Sequence, residues 1–380
     1  MKYIILSFFS SCMISMYSQT MEFKSSGRLI LGILKERTAS IGAGDIDKDG
    51  DIDLVVANGR HWPGQNRIFI NNGRGIFTVA KLLGDESETS YSTELADFDN
   101  DGDLDIAVGN DMAPNYIFIN DGKGNFTKGP RYGIAYAPTR NIVVADIDQD
   151  GDADILITNR GRENEICLND GKGNFAPSIG FGTKNDSTID VEVADINSDG
   201  HMDLVLANRE SERNKTPDGE QNAIYLNDGN LNFNTKIGFG TGKDSTRSVA
   251  IADLNDDGYL DIITANIGAP NVIYFGDKKF KYTKRVVYDA LNGNSFAVNL
   301  GDMDMDGNLD IVIGNYNQPN MVFMNKGKGK SWESIKLNEE NFNTYDILTS
   351  DLNGDGRLDI IESNSDELNQ YYFNQKKKGN

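Results

Sequence analysis

One nine-residue string constrains this chain more than any other feature. DIDKDGDID at 45–53 returns as DFDNDGDLD (97–105), DIDQDGDAD (146–154), DINSDGHMD (195–203), DLNDDGYLD (253–261), DMDMDGNLD (302–310) and DLNGDGRLD (351–359). The start-to-start spacings are 52, 49, 49, 58, 49 and 49. A period near 50 residues marks a stacked or circular repeat, in which each unit buries its apolar face only against its neighbours. At 380 residues, one large closed β fold is therefore favoured over separate domains.

Each unit reads as four strands. An apolar segment such as IVVA (142–145) precedes the Asp-rich string, and a run such as DILITN (154–159) follows it. A short aromatic strand comes next, NRIFIN (66–71) or NYIFIN (115–120), and a turn such as DGKGNF (121–126) opens a weaker fourth. β-branched and aromatic residues between Gly and Asn turns predict strands, and no segment sustains a helical period. The expectation is all-β: a seven-bladed β-propeller with four-stranded blades, filling one domain over 19–380. The residue before each string is small (Gly44, Ala96, Ala145, Ala194, Ala252, Gly301, Ser350), which predicts crowding at the axis or of strand against loop. The seventh unit ends after YYFNQ (371–375) without a fourth strand. MEFKSS (21–26) resembles the other fourth-strand pieces, so the N-terminal strand is expected to complete the last blade.

Seven such strings make the chain similar to the FG-GAP and VCBS repeat family, which includes the propeller of integrin alpha chains. The resemblance covers roughly 21–375. Phe181-Gly182 and Phe239-Gly240 keep the FG pair, whereas Ala57-Asn58 and Gly109-Asn110 stand where integrins carry GAP. That departure points away from integrin-style partner recognition and toward the bacterial exported branch.

The strings have the chemistry of calcium loops. Positions 1, 3, 5 and 9 are Asp45, Asp47, Asp49 and Asp53 in the first copy, then Asp97, Asp99, Asp101 and Asp105, then Asp146, Asp148, Asp150 and Asp154. The fourth and fifth copies offer Asp195, Asn197, Asp199 and Asp203, and Asp253, Asn255, Asp257 and Asp261. The last two offer Asp302, Asp304, Asp306 and Asp310, and Asp351, Asn353, Asp355 and Asp359. Glycine at position 6 turns the loop, and oxygen ligands on a flexible loop suit Ca²⁺ better than Mg²⁺ or Zn²⁺. Position 7 is free to vary (Asp51, Asp103, Asp152, His201, Tyr259, Asn308, Arg357), as expected if it donates only its carbonyl. Up to seven structural calcium ions are expected. Strands flank these loops, and the first copy has Val56 where an EF-hand would place its bidentate Glu, so they are not EF-hands.

The formal net charge of −21, taken whole, argues against a nucleic-acid partner. Yet removing the 25 loop aspartates leaves +4, and seven Ca²⁺ would bring −21 to −7. Surfaces away from the loops can therefore be positive. Residues 1–18 read as a secretory signal, with Lys2 ahead of an apolar run too short to span a bilayer. Cys12 in FSSC is a weaker candidate for a lipid anchor. Only Cys167 remains beyond it, so no disulfide staples the mature chain.

Function is expected opposite the metal loops. The segment between the Asn ending strand two and the Asn opening strand three takes five steps in five units. It takes eight in the first (58 to 66) and fourteen in the fourth (208 to 222), which accounts for both irregular spacings. Every insertion thus falls on one face, often the binding face of a repeat protein. These loops carry Arg60, His61, Trp62, Arg160, Arg162, Arg209, Arg213 and Tyr316, and the inter-blade connections carry Arg37, Tyr91, Tyr136, Arg140, Arg247 and Tyr345. Arg suits carboxylates or sulfates, and Trp and Tyr offer flat faces to sugar rings. The first expectation is a non-catalytic binding module for a polysaccharide or glycoconjugate. A polysaccharide lyase acting on a uronate polymer is the second, with His61 as base and Arg60, Tyr91 and Tyr136 beside it. A scaffold for a surface protein partner is the third.

Overall fold

The computed structural model describes residues 21–184, 186–209, 220–289 and 293–377. Five sheets of four antiparallel strands form blades two to six, and a merged seven-stranded sheet holds blades one and seven. The described residues contain no helix. The proposed signal and Cys12 lie outside them, as do residues 210–219, which include Arg213.

Blade two shows the plan. Ser90–Ala96 is innermost, followed by Asp105–Asn110, Asn115–Asn120 and Phe126–Tyr132. Second strands such as DIAVGN and DLVLAN are buried at every residue, which explains their nearly unbroken apolar run. The core is divided among the seams. One cluster joins Ile46, Val55 and Ile68 of blade one to Ile106, Val108 and Phe118 of blade two, and six more fill the remaining seams.

Ring closure follows from the unfinished seventh unit. Met21–Lys24 pairs antiparallel with the final strand, Met21 opposite Lys376 and Lys24 opposite Phe373. The chain continues along the same partner, Ile30 opposite Gln370, before turning inward as the first strand of blade one. Ends distant in sequence are thus held by sheet hydrogen bonds, and the sheet needs no open edge there. The small residues before the aspartate loops are crowded by the next blade. A Cβ on Gly44 would stand 2.8 Å from Leu104, and one on Gly301 2.6 Å from Leu358.

A belt of buried polar side chains runs around the ring. Each inner strand starts at a Ser or Thr (38, 90, 139, 188, 246, 295, 344) whose hydroxyl donates to the Asn ending strand two, as Thr38 does to Asn58 at 2.8 Å. The backbone N–H of that Asn donates to the Asn opening strand three, 2.9 Å from Asn58 to Asn66. The second Asn reaches into the next blade: Asn66 donates to Ser90 at 2.8 Å, and the like contact recurs at six of the seven seams. Asn369 closes the circle on Thr38 at 3.0 Å. Buried polar groups are costly unless paired, so this belt specifies how blades abut.

Candidate functional site

The aspartate loops occupy one face, and their shape comes from two left-handed residues. Position 4 has φ near 60° in six loops, and the glycine at position 6 lies between 81° and 97°. This folds the loop back so that the position-1 carboxylate accepts two backbone N–H bonds, 3.1 Å from Asp49 and 3.0 Å from Gly50 to Asp45. The position-9 aspartate is buried and holds the loop to the sheet. Asp53 accepts from the backbone N–H of Ile46 at 3.2 Å and of Asn71 at 2.8 Å. Burial pushes this carboxyl up to about 6 in the first six loops and about 7 at Asp359.

The donor set fits a hard cation. In loops one, two, three and six, three carboxylates bring one oxygen each within 4.8 Å of one another. Oδ1 of Asp47 and of Asp304 is buried without a hydrogen-bond partner. A buried, unpaired carboxylate oxygen facing other carboxylates is costly without a positive charge. In loops five and seven the Asn255 and Asn353 amides donate to the position-9 carboxylates. Position-7 side chains turn elsewhere: Asp103 pairs with Lys48, Asp152 accepts from Asn100 at 2.8 Å, and His201 lies over Gly229.

On the opposite face, a cavity of about 520 Å³ follows the ring axis and is lined by the inner strands of all seven blades. Its mouth is built by a repeated irregularity. Directly after the belt Ser or Thr, the inner strand of every blade carries a register shift against strand two. A bulge re-aims one side chain. The residue at that step is Ala39, Tyr91, Arg140, Ile189, Arg247, Phe296 or Tyr345, and all seven line the cavity.

Here the structure brings together residues far apart in sequence. The Arg60 guanidinium lies 4.0 Å from the Tyr345 ring centroid, and that of Arg140 lies 4.5 Å from the Tyr91 centroid. Phe296 stacks on Tyr316 at 5.0 Å, while Arg247 stands 5.5 Å from Phe296 and 6.0 Å from Tyr345. Arg140 is anchored by Asp111, Nη1 to Oδ1 at 2.7 Å. Among the described residues, the rings that face the Arg247 guanidinium are Phe296 and Tyr345; burial depresses its pKa, opposed by Tyr91, Tyr345 and Asp190 and reinforced by Arg140.

A hydrogen-bonded relay crosses the same mouth. His61 Nδ1 lies 2.6 Å from Asp111 Oδ2, and its Nε2 lies 2.9 Å from the Tyr91 hydroxyl. Burial alone would raise the Asp111 carboxyl, but His61 and Arg140 outweigh it and hold it below the ordinary value. An ionised Asp111 only accepts, so Nδ1 carries the proton, and in the neutral imidazole Nε2 then accepts from Tyr91. Tyr91 is only 6% exposed. Burial raises its phenol, opposed by Arg140, Arg247 and Arg60.

Below the mouth the channel is acidic. Burial raises Glu94 to about 8 and Asp346 to about 6, and pushes Asp190 and Glu192 upward. Asn141 links Ser92 to Asp190, at 2.8 and 2.6 Å.

Other sequence candidates lie on the rim. Trp62 is 65% exposed, with the Arg37 guanidinium 5.6 Å from its ring, and Tyr136 is 62% exposed and apart from the relay. Arg162 is exposed, and Arg160 bridges to Ser187 through its backbone. Arg209 donates its backbone N–H to Ser187 and closes the described part of the blade-four loop. Asp111, Phe296 and the four channel carboxylates were missed. The step after each belt Ser or Thr was an available signal for Phe296; Asp111 and the carboxylates do not stand at it.

Seven blades around an axial channel, with aspartate loops on one face and an aromatic and arginine mouth on the other, define a β-propeller of the acidic-loop class. The FG-GAP-like repeat model matches residues 45–108, 97–157, 146–206, 213–264, 253–313 and 302–362, and the chain belongs to that family. No curated protein matches its sequence. Two crystal structures of BBS1N in complex with ARL6DN share the fold. The one soaked with lead has 11% identity and a TM-score of 0.57, and the one soaked with mercury 12% and 0.61. Each comparison covers 92% of this chain and 96% of the other.

Proposed function

We propose that this protein is an exported, calcium-stabilised propeller that binds an acidic glycan at the mouth of its axial channel. The observation that carries the reading is Arg247, a guanidinium deep in the mouth whose close partners are aromatic faces. A sugar carboxylate or sulfate would supply the missing bidentate acceptor, and the surrounding rings suit a pyranose face. Calorimetry with uronate oligosaccharides tests this. Arg247→Ala should weaken binding about tenfold or more, the loss of one charge-assisted hydrogen bond. Arg162→Ala, on the rim, should bind as the unaltered protein does. Equal affinity for both variants removes the reading.

The relay favours a second reading, β-elimination on a uronate polymer. Both ring nitrogens of His61 are engaged, so Tyr91, not His61, is the group facing the channel. Tyr91, unloading its own proton to His61, would take the proton beside the carboxylate. The released electron pair would form the ring double bond as the bond to the glycosidic oxygen breaks, and that oxygen would take the proton Tyr91 has just removed, after which His61 returns its proton to Tyr91. Tyr91→Phe would then abolish the rise in absorbance near 235 nm from the unsaturated product, with glycan binding retained. No rise with any acidic polymer leaves the binding module alone.

A further inference from the structure

One of the seven aspartate loops carries a cation of its own. Lys326 directly follows the Asn that ends strand three of blade six, and its ammonium pairs with the Asp304 carboxylate at position 3 of the sixth loop. The same ammonium lies in the field of Asp306 and Asp310, the ligand candidates at positions 5 and 9. The matching residues of the other blades are Asn72, Asp121, Asp170, Asp228, Asp277 and Gln375, and none is basic. Asp121, Asp170 and Asp228 serve their own turns, accepting from Asn125, Asn174 and Asn232. In blade six that side-chain role is gone, although Lys326 still donates its backbone N–H to Ser331, as Asp121 and Asp170 do to Asn125 and Asn174.

Other lysines near the loops stay at their edges. Lys48 meets Asp103 at position 7 of the second loop, and Lys328 meets Asp256 at position 4 of the fifth, 2.7 Å away. Lys81 lies in the field of Asp47, but its ammonium donates to the Gly124 carbonyl at 3.0 Å. Among the described residues, Lys326 is the lysine paired with a carboxylate at a ligand position.

We infer that Lys326 occupies the cation position of the sixth loop, so that the chain takes up one calcium ion fewer than it has loops. The inference rests on the calcium reading above. An ammonium a few ångströms from the carboxylates neutralises part of their repulsion and repels an incoming divalent ion. Asp302, Asp304 and Asp306 nonetheless hold one oxygen each within 4.8 Å, as in loops without such a lysine. Loop six is thus shaped by a covalently attached charge that chelators cannot remove.

Calcium per chain, measured by elemental analysis after equilibrium dialysis, tests it. Lys326→Gln should bind one ion more than the unaltered protein, whereas Lys328→Gln should bind the same number. A second arm needs no change at Lys326: Asp304→Ala, which removes the position-3 ligand outright, should leave the count unchanged, and Asp47→Ala should lower it by one. Equal counts for Lys326→Gln and the unaltered protein, or a loss of one ion in Asp304→Ala, overturn the inference and leave the calcium reading intact. An unaltered protein that binds no calcium overturns both.

Discussion

On the aspartate-loop face, position 9 is an aspartate in all seven blades, and in each it accepts the same pair of backbone N–H bonds. On the opposite face, the bulged residue is in turn alanine, tyrosine, arginine, isoleucine, arginine, phenylalanine and tyrosine. Both faces are made by the same strands with the same repeat. What differs is whether a position must satisfy its own blade or a shared axis. A loop that must hold its own turn has one good solution, and the chain uses it seven times. A mouth where seven strands converge presents one asymmetric surface, so each blade can contribute a different side chain. Uniformity across blades therefore marks the scaffold, and divergence at an equivalent backbone position marks the binding surface.

The largest expected effect breaks the repeated face. Excess EDTA should lower the melting temperature by about 10 °C or more. Each ion bound at a hundredfold above its dissociation constant contributes roughly 2.7 kcal/mol, and several sites act together. Glycan binding at the mouth should weaken only as blades loosen, so its loss should follow the melting curve and not precede it. Calorimetric scans with and without chelator, run beside a binding titration, separate the two. An unchanged melting temperature would end the structural role of calcium.

A smaller effect is expected where the belt closes. Asn369→Ala removes the amide that joins the last blade to Thr38 and leaves the Asn364 backbone N–H without its 2.7 Å acceptor. Unsatisfied buried groups cost about 1–3 kcal/mol each. Asn222→Ala, the equivalent change within the chain, breaks a seam that covalent continuity also holds. Urea unfolding should therefore show Asn369→Ala to be the more destabilising, and equal midpoints would show that the closure seam has no special weakness.

The sequence carried the repeat, the blade count and the swapped N-terminal strand, because each depends on local periodicity or on a missing piece. It also put Arg60, His61, Tyr91, Arg140, Arg247, Tyr316 and Tyr345 on one face, because the loops between strands two and three and the connections between blades share that face. It did not give the pairing of His61 with Asp111 and Tyr91. Asp111 is 50 residues from His61, and adjacency across a seam is set by ring geometry, which no single-blade pattern encodes. The asparagines were legible only as strand boundaries, since their amides act between blades. Position 7 looked free because its side chains answer to the neighbouring loop. The channel carboxylates were invisible for a related reason: Glu94 and Glu192 sit in strands that read as ordinary apolar-polar alternation, and only convergence at the axis makes them a half-buried acidic layer.

That layer gives the smallest and most specific test of the contrast between faces. Burial, reinforced by Asp346 and Asp190, raises Glu94 from 4.5 to about 8. The folded state thus holds a proton that the unfolded chain has released between these values, and the stability Glu94 contributes falls as pH rises through that window. Below about 4.5 both states are protonated and the contribution is complete. Glu94→Gln keeps the shape and removes the charge, so its melting temperature should exceed that of the unaltered protein at pH 8.5, with the gain vanishing toward pH 5. The shift should be a degree or two, because water reaches the channel and neighbouring carboxylates share the load. Calcium should not alter it, since the aspartate loops lie on the other face. A gain that is constant with pH would mean that Glu94 acts through packing alone. One that disappears in EDTA would mean that the two faces are coupled through the inner strand that runs from Glu94 to Asp97.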